Sequence, residues 1–244
     1  MKAVILAAGI ASRLRPLTDN TPKCLLELGE DTILGRTIKN LIKNNIQDFI
    51  IVTGYLQEQI IDYVKNNFPK INIEFIYNPK YDSTNNIYSL WLTKKSVKDS
   101  DILLLDSDIL FDYRIIEKLL NSKHKNVLAV KSVHELGEEE IKVILNDDKS
   151  ISEISKVINP KLAIGESIGI EKFSKEYSSK LFSILDEMIL KENKVNIFYE
   201  AAFEKSIKKG SKIYIEDVEN LKCMELDTAE DIEAAKDEII KEIK

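Results

Sequence analysis

KAVILAAG, residues 2–9, is the stretch that decides the fold. It holds an unbroken apolar run from Ala3 to Ala8, which a glycine closes. A strand that is covered on both faces of a parallel sheet has such a run, whereas a strand with one face in water alternates apolar and polar residues. The stretch therefore predicts a buried strand of a parallel sheet.

The residues that follow alternate between helical and strand-like patterns. Apolar positions recur at helical spacing from Ile33 to Ile42, and Asp31 or Thr32 stands where a helix cap is needed. Further strands are predicted at 49–53, 71–77 and 102–105, with helices over 60–68 and 84–95 between them. This order predicts an α/β fold, a Rossmann-like doubly wound and mostly parallel sheet with helices on both faces.

The pattern changes after about residue 127. Short alternating runs at 127–133, 141–146 and 151–155 predict hairpins added to the sheet edge. The remaining elements are helices near 174–192 and 198–209, strands near 212–216 and 222–226, and a closing helix from Thr228. Because no Pro-, Gly- or Ser-rich linker interrupts the chain, we predict one domain over 1–244 with a C-terminal accessory hairpin and helix part.

Composition narrows the class of partner. The net charge of −6 argues against a nucleic-acid binder, because such proteins usually carry a basic excess. No apolar run approaches the roughly 20 residues of a membrane span, and arginines follow the first run too closely for a signal peptide. Cys24 and Cys223 are far apart and predict reduced thiols in a cytoplasmic protein. His124 and His134 lie in polar runs, so we expect both at the surface. The acidic net charge makes a small molecule the expected partner.

Only four of the 35 Lys and Arg residues are arginines, and two of them, Arg13 and Arg15, stand in LAAGIASRLRPLTDNTPKCLL, residues 6–26. Ligands of open α/β sheets bind at the carboxyl ends of the strands, where loop amides wrap phosphates. Gly9 lets the backbone approach a ligand, Arg13 offers a planar fork of donors, and Lys23 offers a point charge. The loop has one glycine and no GK[ST], so it fits neither the Walker A nor the dinucleotide pattern. It predicts another kind of polyphosphate site.

The string LAAG-x-x-SRL-x-PLT…PK resembles the signature loop of the nucleotidyltransferases that make nucleoside diphosphate sugars and related CDP-linked metabolites. That family has GxGxR where this chain has residues 9–13, with Ala11 in place of the second glycine. The resemblance implies that Arg13 binds the departing β and γ phosphates and that Lys23 bridges the α-phosphate and the acceptor. It also implies nucleotide-binding positions, which are Leu6, Ala7, Ala8, Gly9, Ser12, Thr53, Gly54, Tyr55, Asn85 and Ser89.

Acidic residues at strand ends predict a metal site. In LLLDSDILF, residues 103–111, carboxylates leave a buried strand, where burial is costly unless a cation meets them, and hard oxygen ligands suit Mg²⁺. The resemblance implies Asp108 as a metal ligand, with Asp106 one alternation earlier. It also implies Asp227, in the segment MELDT at 224–228, as the ligand that completes the site. A turn or helix-cap role is the alternative for the aspartates of the DSD run, and taken alone the segment around Asp227 is an ordinary cap signal.

Two further segments resemble the branch of the family that handles phosphocholine or 2-aminoethylphosphonate. They are YDSTNNIYSLWL at 81–92 and NIFYEAAF at 196–203. The resemblance implies acceptor binding by Tyr88, Trp91, Tyr199 and Glu200, whose rings and carboxylate would face an ammonium group. For Trp91, packing in the core is an equal alternative.

These features together imply a Mg²⁺-dependent cytidylyltransferase that joins CTP to a small amine-bearing phosphate or phosphonate and releases pyrophosphate. Residues 1–125 would form the nucleotide-binding core, and residues 126–244 would bind the acceptor and complete the metal site. The alternative is a sugar-1-phosphate or polyol-phosphate nucleotidyltransferase that uses UTP, dTTP or GTP. A non-catalytic nucleotide-binding subunit would have lost Lys23, Asp108 or Asp227, all of which are present. The sequence leaves the acceptor and the oligomeric state open.

Overall fold

The computed structural model of the chain describes residues 1–132, 136–236, 240 and 243. His134, which the sequence predicts to be at the surface, lies outside the described residues, as does Val133 at the end of a predicted strand. The strands are β1 (Lys2–Ala7), β2 (Glu27–Leu28), β3 (Asp31–Thr32), β4 (Asp48–Thr53), β5 (Asn72–Tyr77), β6 (Ile102–Asp106), β7 (Ile109–Phe111), β8 (Val127–Lys131), β9 (Lys142–Leu145), β10 (Ile151–Ser155), β11 (Gly165–Phe173), β12 (Tyr214–Asp217) and β13 (Cys223–Glu225).

The helices are α1 (Ile33–Lys43), α2 (Gln57–Asn67), α3 (Asn86–Leu92), α4 (Arg114–Asn121), α5 (Lys175–Asp186), α6 (Glu200–Lys208) and α7 (Ala229–Ala234). Capping side chains begin several of them: Thr32, a cap that the sequence predicts, accepts from the Gly35 amide, and Asn85 caps α3. Thr228 and Asp231 form a capping box at α7. No helix in the described ranges is both long and apolar enough to cross a membrane.

One nine-stranded sheet organises the molecule. Its strand order is β10-β9-β11-β6-β1-β4-β5, and β8 pairs with both β11 and β12. Strands β6, β1, β4 and β5 run parallel to one another, and β11 joins β6 in the antiparallel sense. The predicted α/β class with a central, mostly parallel sheet flanked by helices is confirmed.

Strand β1 lies in the middle of the sheet and is covered on both faces. Ala3 and Ile5 belong to one hydrophobic cluster, and Val4 and Leu6 belong to another on the opposite face. Because successive side chains of a strand point to opposite faces, an unbroken apolar run is what this position requires. The apolar run at 3–8 therefore anchors the loop that follows it at the end of a rigid, buried strand.

Strand β11 is the main element that the sequence analysis missed. Two glycines and the charged residues Glu166, Glu171 and Lys172 break its apolar pattern, yet the strand pairs with β6, β8 and β9. The prediction of edge hairpins is right for β9 and β10, which pair antiparallel, and wrong for 127–131. There, β8 lies inside the sheet because β11 and β12 pair on its two sides.

Candidate active site

A cavity of about 600 Å³ opens at the carboxyl ends of β1 and β6. Its walls include residues 6–9 at the end of β1 and residues 106–109 at the end of β6. Residues from the later half of the chain complete it, including Glu200, Glu225 and Asp227. Because ligands of open α/β sheets bind outside the carboxyl ends of the strands, this cavity is the candidate active site.

Three carboxylates converge in this cavity. One oxygen from each of Asp108, Glu225 and Asp227 lies within 4.8 Å of the others. Asp108 lies in the turn between β6 and β7, and antiparallel pairing of β13 with β7 sets Glu225 opposite Ile109. Oxygen ligands of this kind suit a hard divalent cation. The structure thus brings the predicted Asp108 and Asp227 together.

Glu225 is the member of this trio that the sequence analysis missed. A signal was present, because residues two apart on a strand point to the same face, as Glu225 and Asp227 do at the end of β13. Loss of water around its carboxylate within the cavity, followed by the negative charges of Asp108 and Asp227, raises the pKa of Glu225 to about 7, although its side chain is exposed. The three carboxylates outnumber the two cations that contact them, Lys23 and Arg13, and a further cation would balance the difference.

Asp106 is placed apart from these three carboxylates. It ends β6, and its Oδ2 accepts a hydrogen bond of 2.9 Å from the hydroxyl of Tyr199. Burial, followed by the charge of Asp108, raises the pKa of Asp106 well above its ordinary value. Gly169 of β11 passes close by with a φ of +70°, where an added Cβ would lie 2.8 Å from Asp106 Oδ2. The predicted metal ligand Asp106 thus lines the cavity but is outside the cluster.

Two cations of the loop at residues 8–26, called the glycine loop below, contact the carboxylates directly. Lys23 Nζ lies 2.8 Å from Asp108 Oδ2 and 2.7 Å from Asp227 Oδ1, and Arg13 Nη2 lies 2.5 Å from Asp227 Oδ2. Burial lowers the pKa of Lys23, but the charges of Asp108 and Asp227 outweigh it and leave that pKa raised. Arg15 instead pairs with Asp19 at 3.4 Å and does not line the cavity. Of the two arginines, Arg13 alone lines the cavity.

The glycine loop keeps its shape although Ala11 replaces the second glycine. Ala11 adopts a left-handed backbone with φ of 52°, which costs an alanine more than a glycine, and its carbonyl accepts a hydrogen bond from Thr18 Oγ1 at 2.9 Å. At Gly9, an added Cβ would meet nothing within 4 Å. The loop backbone at Gly9 is therefore open to a ligand in the cavity.

The predicted nucleotide-binding residues divide into two groups. Those that line the cavity are Leu6, Ala7, Ala8, Gly9, Asn85 and Ser89. Those that do not line it are Ser12, Thr53, Gly54 and Tyr55.

Two members of the second group, Gly54 and Tyr55, contact the glycine loop. Tyr55 donates to the carbonyl oxygens of Thr18 and Asp19 at 3.0 and 2.7 Å. Gly54 leaves no room for a Cβ, which would lie 2.6 Å from the Ala8 carbonyl oxygen. The structure also adds Asn78 to the lining, where its amide donates to Ser89 Oγ at 3.1 Å.

The predicted acceptor residues are also divided. Glu200 lines the cavity. Tyr88 and Trp91 pack with the core, and Trp91 Nε1 donates to Asp186 at 2.9 Å. Tyr199 is fully buried behind the cavity wall. The core alternative therefore describes the position of Trp91, because helix α3 directs this side chain inward.

Several buried acidic side chains lie around Tyr199, behind the cavity. The Tyr199 hydroxyl donates to Asp106 and lies 3.3 Å from Glu171 Oε1, on β11. Burial raises the pKa of Glu171 well above its usual range and raises that of Glu200 to about 7. Glu171 could not be predicted from the sequence because the strand that carries it was missed.

Known proteins resemble the chain over nearly its whole length. The family model described as "Nucleotidyl transferase" matches residues 2–155. Choline-phosphate cytidylyltransferase of Streptococcus pneumoniae is 30% identical over 231 residues, 95% of each chain. CTP:phosphoglutamine cytidylyltransferase of Campylobacter jejuni is 31% identical over 246 residues, 93% of each chain. The solved structure of CTP:phosphocholine cytidylyltransferase from Streptococcus pneumoniae has a TM-score of 0.80 at 27% identity, covering 98% of each chain. The chain therefore belongs to the nucleotidyl transferase family of enzymes and, within it, resembles the cytidylyltransferases.

Proposed function

We propose that the protein is a Mg²⁺-dependent cytidylyltransferase that joins CTP to a small amine-bearing phosphate or phosphonate and releases pyrophosphate. The observation that carries this proposal is one cavity in which Asp108, Glu225 and Asp227 meet Lys23 and Arg13 beside the glycine loop. Cytidylyltransferases of similar length among its relatives support the choice of CTP.

The donor set fits Mg²⁺. Three carboxylates with hard oxygen atoms, an excess of negative charge and a neighbouring open cavity are what this ion prefers when it also contacts substrate phosphates. Asp108, Glu225 and Asp227 would hold the ion, and bound Mg²⁺ would neutralise charge on the phosphates of CTP. We therefore propose Glu225 as a ligand, in place of Asp106.

The reaction needs no general base. An oxygen of the acceptor's phosphate or phosphonate is already an anion, so it can form its bond to the α-phosphorus of CTP in line as the bond from that phosphorus to the bridging oxygen breaks. The electron pair of that bond leaves with pyrophosphate. Catalysis then consists of positioning and charge stabilisation.

Arg13 and Lys23 supply the positive charge for this step. Arg13 is 65% exposed in its side chain and can release Asp227 to bind the departing phosphates with two parallel donors. Lys23 is only 12% exposed, so it remains a fixed cation between the α-phosphate and the acceptor. Residues 6–9, Asn85 and Ser89 would surround the base and ribose.

The part of the cavity that residues 131–200 line, which we assign to the acceptor, favours a cation. Between residues 131 and 200 the lining has more acidic than basic side chains, namely Glu139, Glu140, Glu166 and Glu200 against Lys131 and Lys156. The uncharged sugar moiety of a sugar phosphate would leave these acidic side chains unmatched, whereas an ammonium group would pair with them. We therefore assign acceptor binding to residues 126–244 and nucleotide binding to residues 1–125.

Pyrophosphate release tests the proposal. The protein is incubated with Mg²⁺, each of the four NTPs in turn, and a panel of phosphocholine, phosphoethanolamine, 2-aminoethylphosphonate, glycerol phosphate and glucose-1-phosphate. Turnover is expected with CTP and an amine-bearing acceptor, and an Asp108→Asn variant serves as the inactive control. Turnover confined to glucose-1-phosphate with UTP, dTTP or GTP would replace the proposal by the sugar-phosphate alternative.

A further inference from the structure

Lys142 is a buried lysine whose charge is held by backbone oxygens. It lies on β9 and is 0% exposed. Its ammonium donates to the carbonyl oxygens of Gly137, Glu138 and Glu140 at 3.0, 3.2 and 3.0 Å. An ammonium has three N–H donors, so these three acceptors satisfy it completely. Burying a charge is costly without such partners, so the three contacts account for an ammonium at this position.

The three carbonyl oxygens come from one short segment, residues 137–140, which we call the wall loop. Because three of its four carbonyl groups bond to a single nitrogen atom, the backbone of the wall loop curves around the Lys142 ammonium. At Gly137, an added Cβ would lie 3.0 Å from Glu140 Oε2, so the Glu140 carboxylate folds back over the start of the loop. The wall loop is thus a compact turn with the Lys142 ammonium at its centre.

The wall loop belongs to the candidate active site. Glu139, Glu140 and the following Ile141 line the cavity on the side assigned to the acceptor. The Ile141 carbonyl oxygen accepts from the Ser167 amide at 2.8 Å, which ties the end of the loop to β11. Nearer its start, the loop is held by Lys142, which is not among the described lining residues. A change at Lys142 would therefore reach this part of the wall without altering a side chain that lines it.

The wall loop lies at the surface, so its order depends on this contact more than on apolar packing. Gly137, Glu138 and Glu139 are exposed. The only ion pair that the structure describes for the loop joins Glu139 Oε2 to Lys156 Nζ at 3.4 Å, and the Glu139 side chain is 85% exposed, so this pair adds little. Without the Lys142 ammonium, the freed carbonyl oxygens of the loop would bond to water. Loss of the ammonium should therefore loosen the wall loop and leave the sheet intact.

We propose that Lys142 is a positioning residue for the acceptor, because its ammonium holds the wall loop in the conformation that forms part of the cavity wall. This inference rests on the proposed function, since it takes the lining between residues 131 and 200 as the acceptor side. The proposed nucleotide-binding residues, 6–9, Asn85 and Ser89, belong to other segments of the wall. Replacing Lys142 should therefore weaken acceptor binding and leave CTP binding unchanged.

Steady-state kinetics of pyrophosphate release separate the two effects. Lys142→Met has a side chain of similar length without donors, so the acceptor's KM should rise about tenfold, with kcat and the KM for CTP within about twofold of wild type. Lys142→Gln retains two N–H donors on a shorter side chain and should give an intermediate KM for the acceptor. Lys172→Met is the matched control and should leave all three values unchanged, because Lys172 is a buried lysine on the neighbouring strand β11 and is not among the described lining residues. Equal rises of both KM values, or an unchanged KM for the acceptor in Lys142→Met, would overturn the inference.

Limited proteolysis tests the same contact without turnover. A glutamate-specific protease is added to the protein without substrates, and cleavage after residues 138–140 is followed by mass spectrometry. Cleavage there should be about tenfold faster in Lys142→Met than in wild type, because proteolysis follows the population of the opened segment. Cleavage after Glu58 on α2 should keep its wild-type rate, since global unfolding would raise both rates. Equal rates after residues 138–140 in the two proteins would overturn the inference, even where pyrophosphate release upholds the proposed function. No pyrophosphate release by wild type with any acceptor would instead refute the proposed function, and the cleavage rates would still decide whether Lys142 holds the wall loop.

Discussion

Replacing Glu200 with glutamine is expected to stabilise the protein at alkaline pH. Glu200 is 5% exposed, and its Oε2 has no hydrogen-bond partner in the part of the chain that the structure describes. Burial raises the pKa of Glu200 from 4.5 to about 7, against the smaller opposing effect of its own backbone amide. The ionised carboxylate therefore costs the folded state free energy that a neutral amide does not.

The size of this cost follows from the pKa. One pKa unit corresponds to about 1.4 kcal/mol, so the change from 4.5 to about 7 corresponds to about 3 kcal/mol. Burying a glutamine amide costs the variant about 1 kcal/mol, so the net gain in the free energy of unfolding is about 2 kcal/mol. This gain corresponds to a rise in Tm of about 4 to 8 °C. Between pH 4.5 and about 7 the folded state binds the proton more tightly. The cost is therefore absent at low pH, grows through this range and is complete above it.

Unfolding of wild type, Glu200→Gln and Glu204→Gln at about pH 5 and about pH 8 measures the effect. Glu204 pairs with Lys208 on the same helix outside the cavity, so its variant controls for the chemical change. Glu200→Gln should be more stable than wild type at the higher pH and equal or less stable at the lower. An unchanged or lower Tm at the higher pH, or a gain that does not depend on pH, would refute the reasoning.

Three further predictions concern catalysis. Asp108→Asn and Glu225→Gln should each lower kcat about a hundredfold or more and weaken Mn²⁺ binding, as measured by electron paramagnetic resonance. Near-normal values for either variant would remove the replaced residue from the site. Arg13→Lys should reduce kcat/KM strongly because an ammonium lacks the planar fork, while Arg15→Lys should retain it; equal sensitivity would mean that the loop is misassigned. Because the pKa of Glu200 is about 7, the acceptor's KM should fall between about pH 6 and about pH 8, and steady-state kinetics of Glu200→Gln should lose that dependence.

The fold was largely predictable from local sequence patterns. The unbroken run at 3–8 specifies a strand buried on both faces, and Thr32, Asn85 and Thr228 mark helix starts because their side chains cap the first turn. Strand β11 was not predictable in this way, because its glycines and charged residues are stabilised by pairing with three strands distant in the sequence. Local patterns do not contain such long-range contacts.

The candidate site, like the fold, was predictable only in part. Asp108 and Asp227 followed from family resemblance, whereas Glu225 becomes a neighbour of Asp108 only when β13 pairs with β7. Trp91, for which the sequence leaves core packing as an equal alternative, shows a further limit of sequence patterns. Helical spacing fixes which residues share a face, but the packing of α3 against the core decides whether that face meets the cavity.

Transfer of a cytidylyl group to an amine-bearing acceptor is tested most directly by phosphorus NMR of the reaction mixture. With CTP, Mg²⁺ and 2-aminoethylphosphonate, wild-type protein should produce pyrophosphate and a new pair of coupled phosphorus resonances. The coupling would show that the phosphonate is linked to the phosphorus of CMP. The Asp108→Asn variant should leave CTP intact. Unchanged CTP with wild-type protein across the amine-bearing acceptors, while a sugar phosphate is converted, would contradict the proposed function.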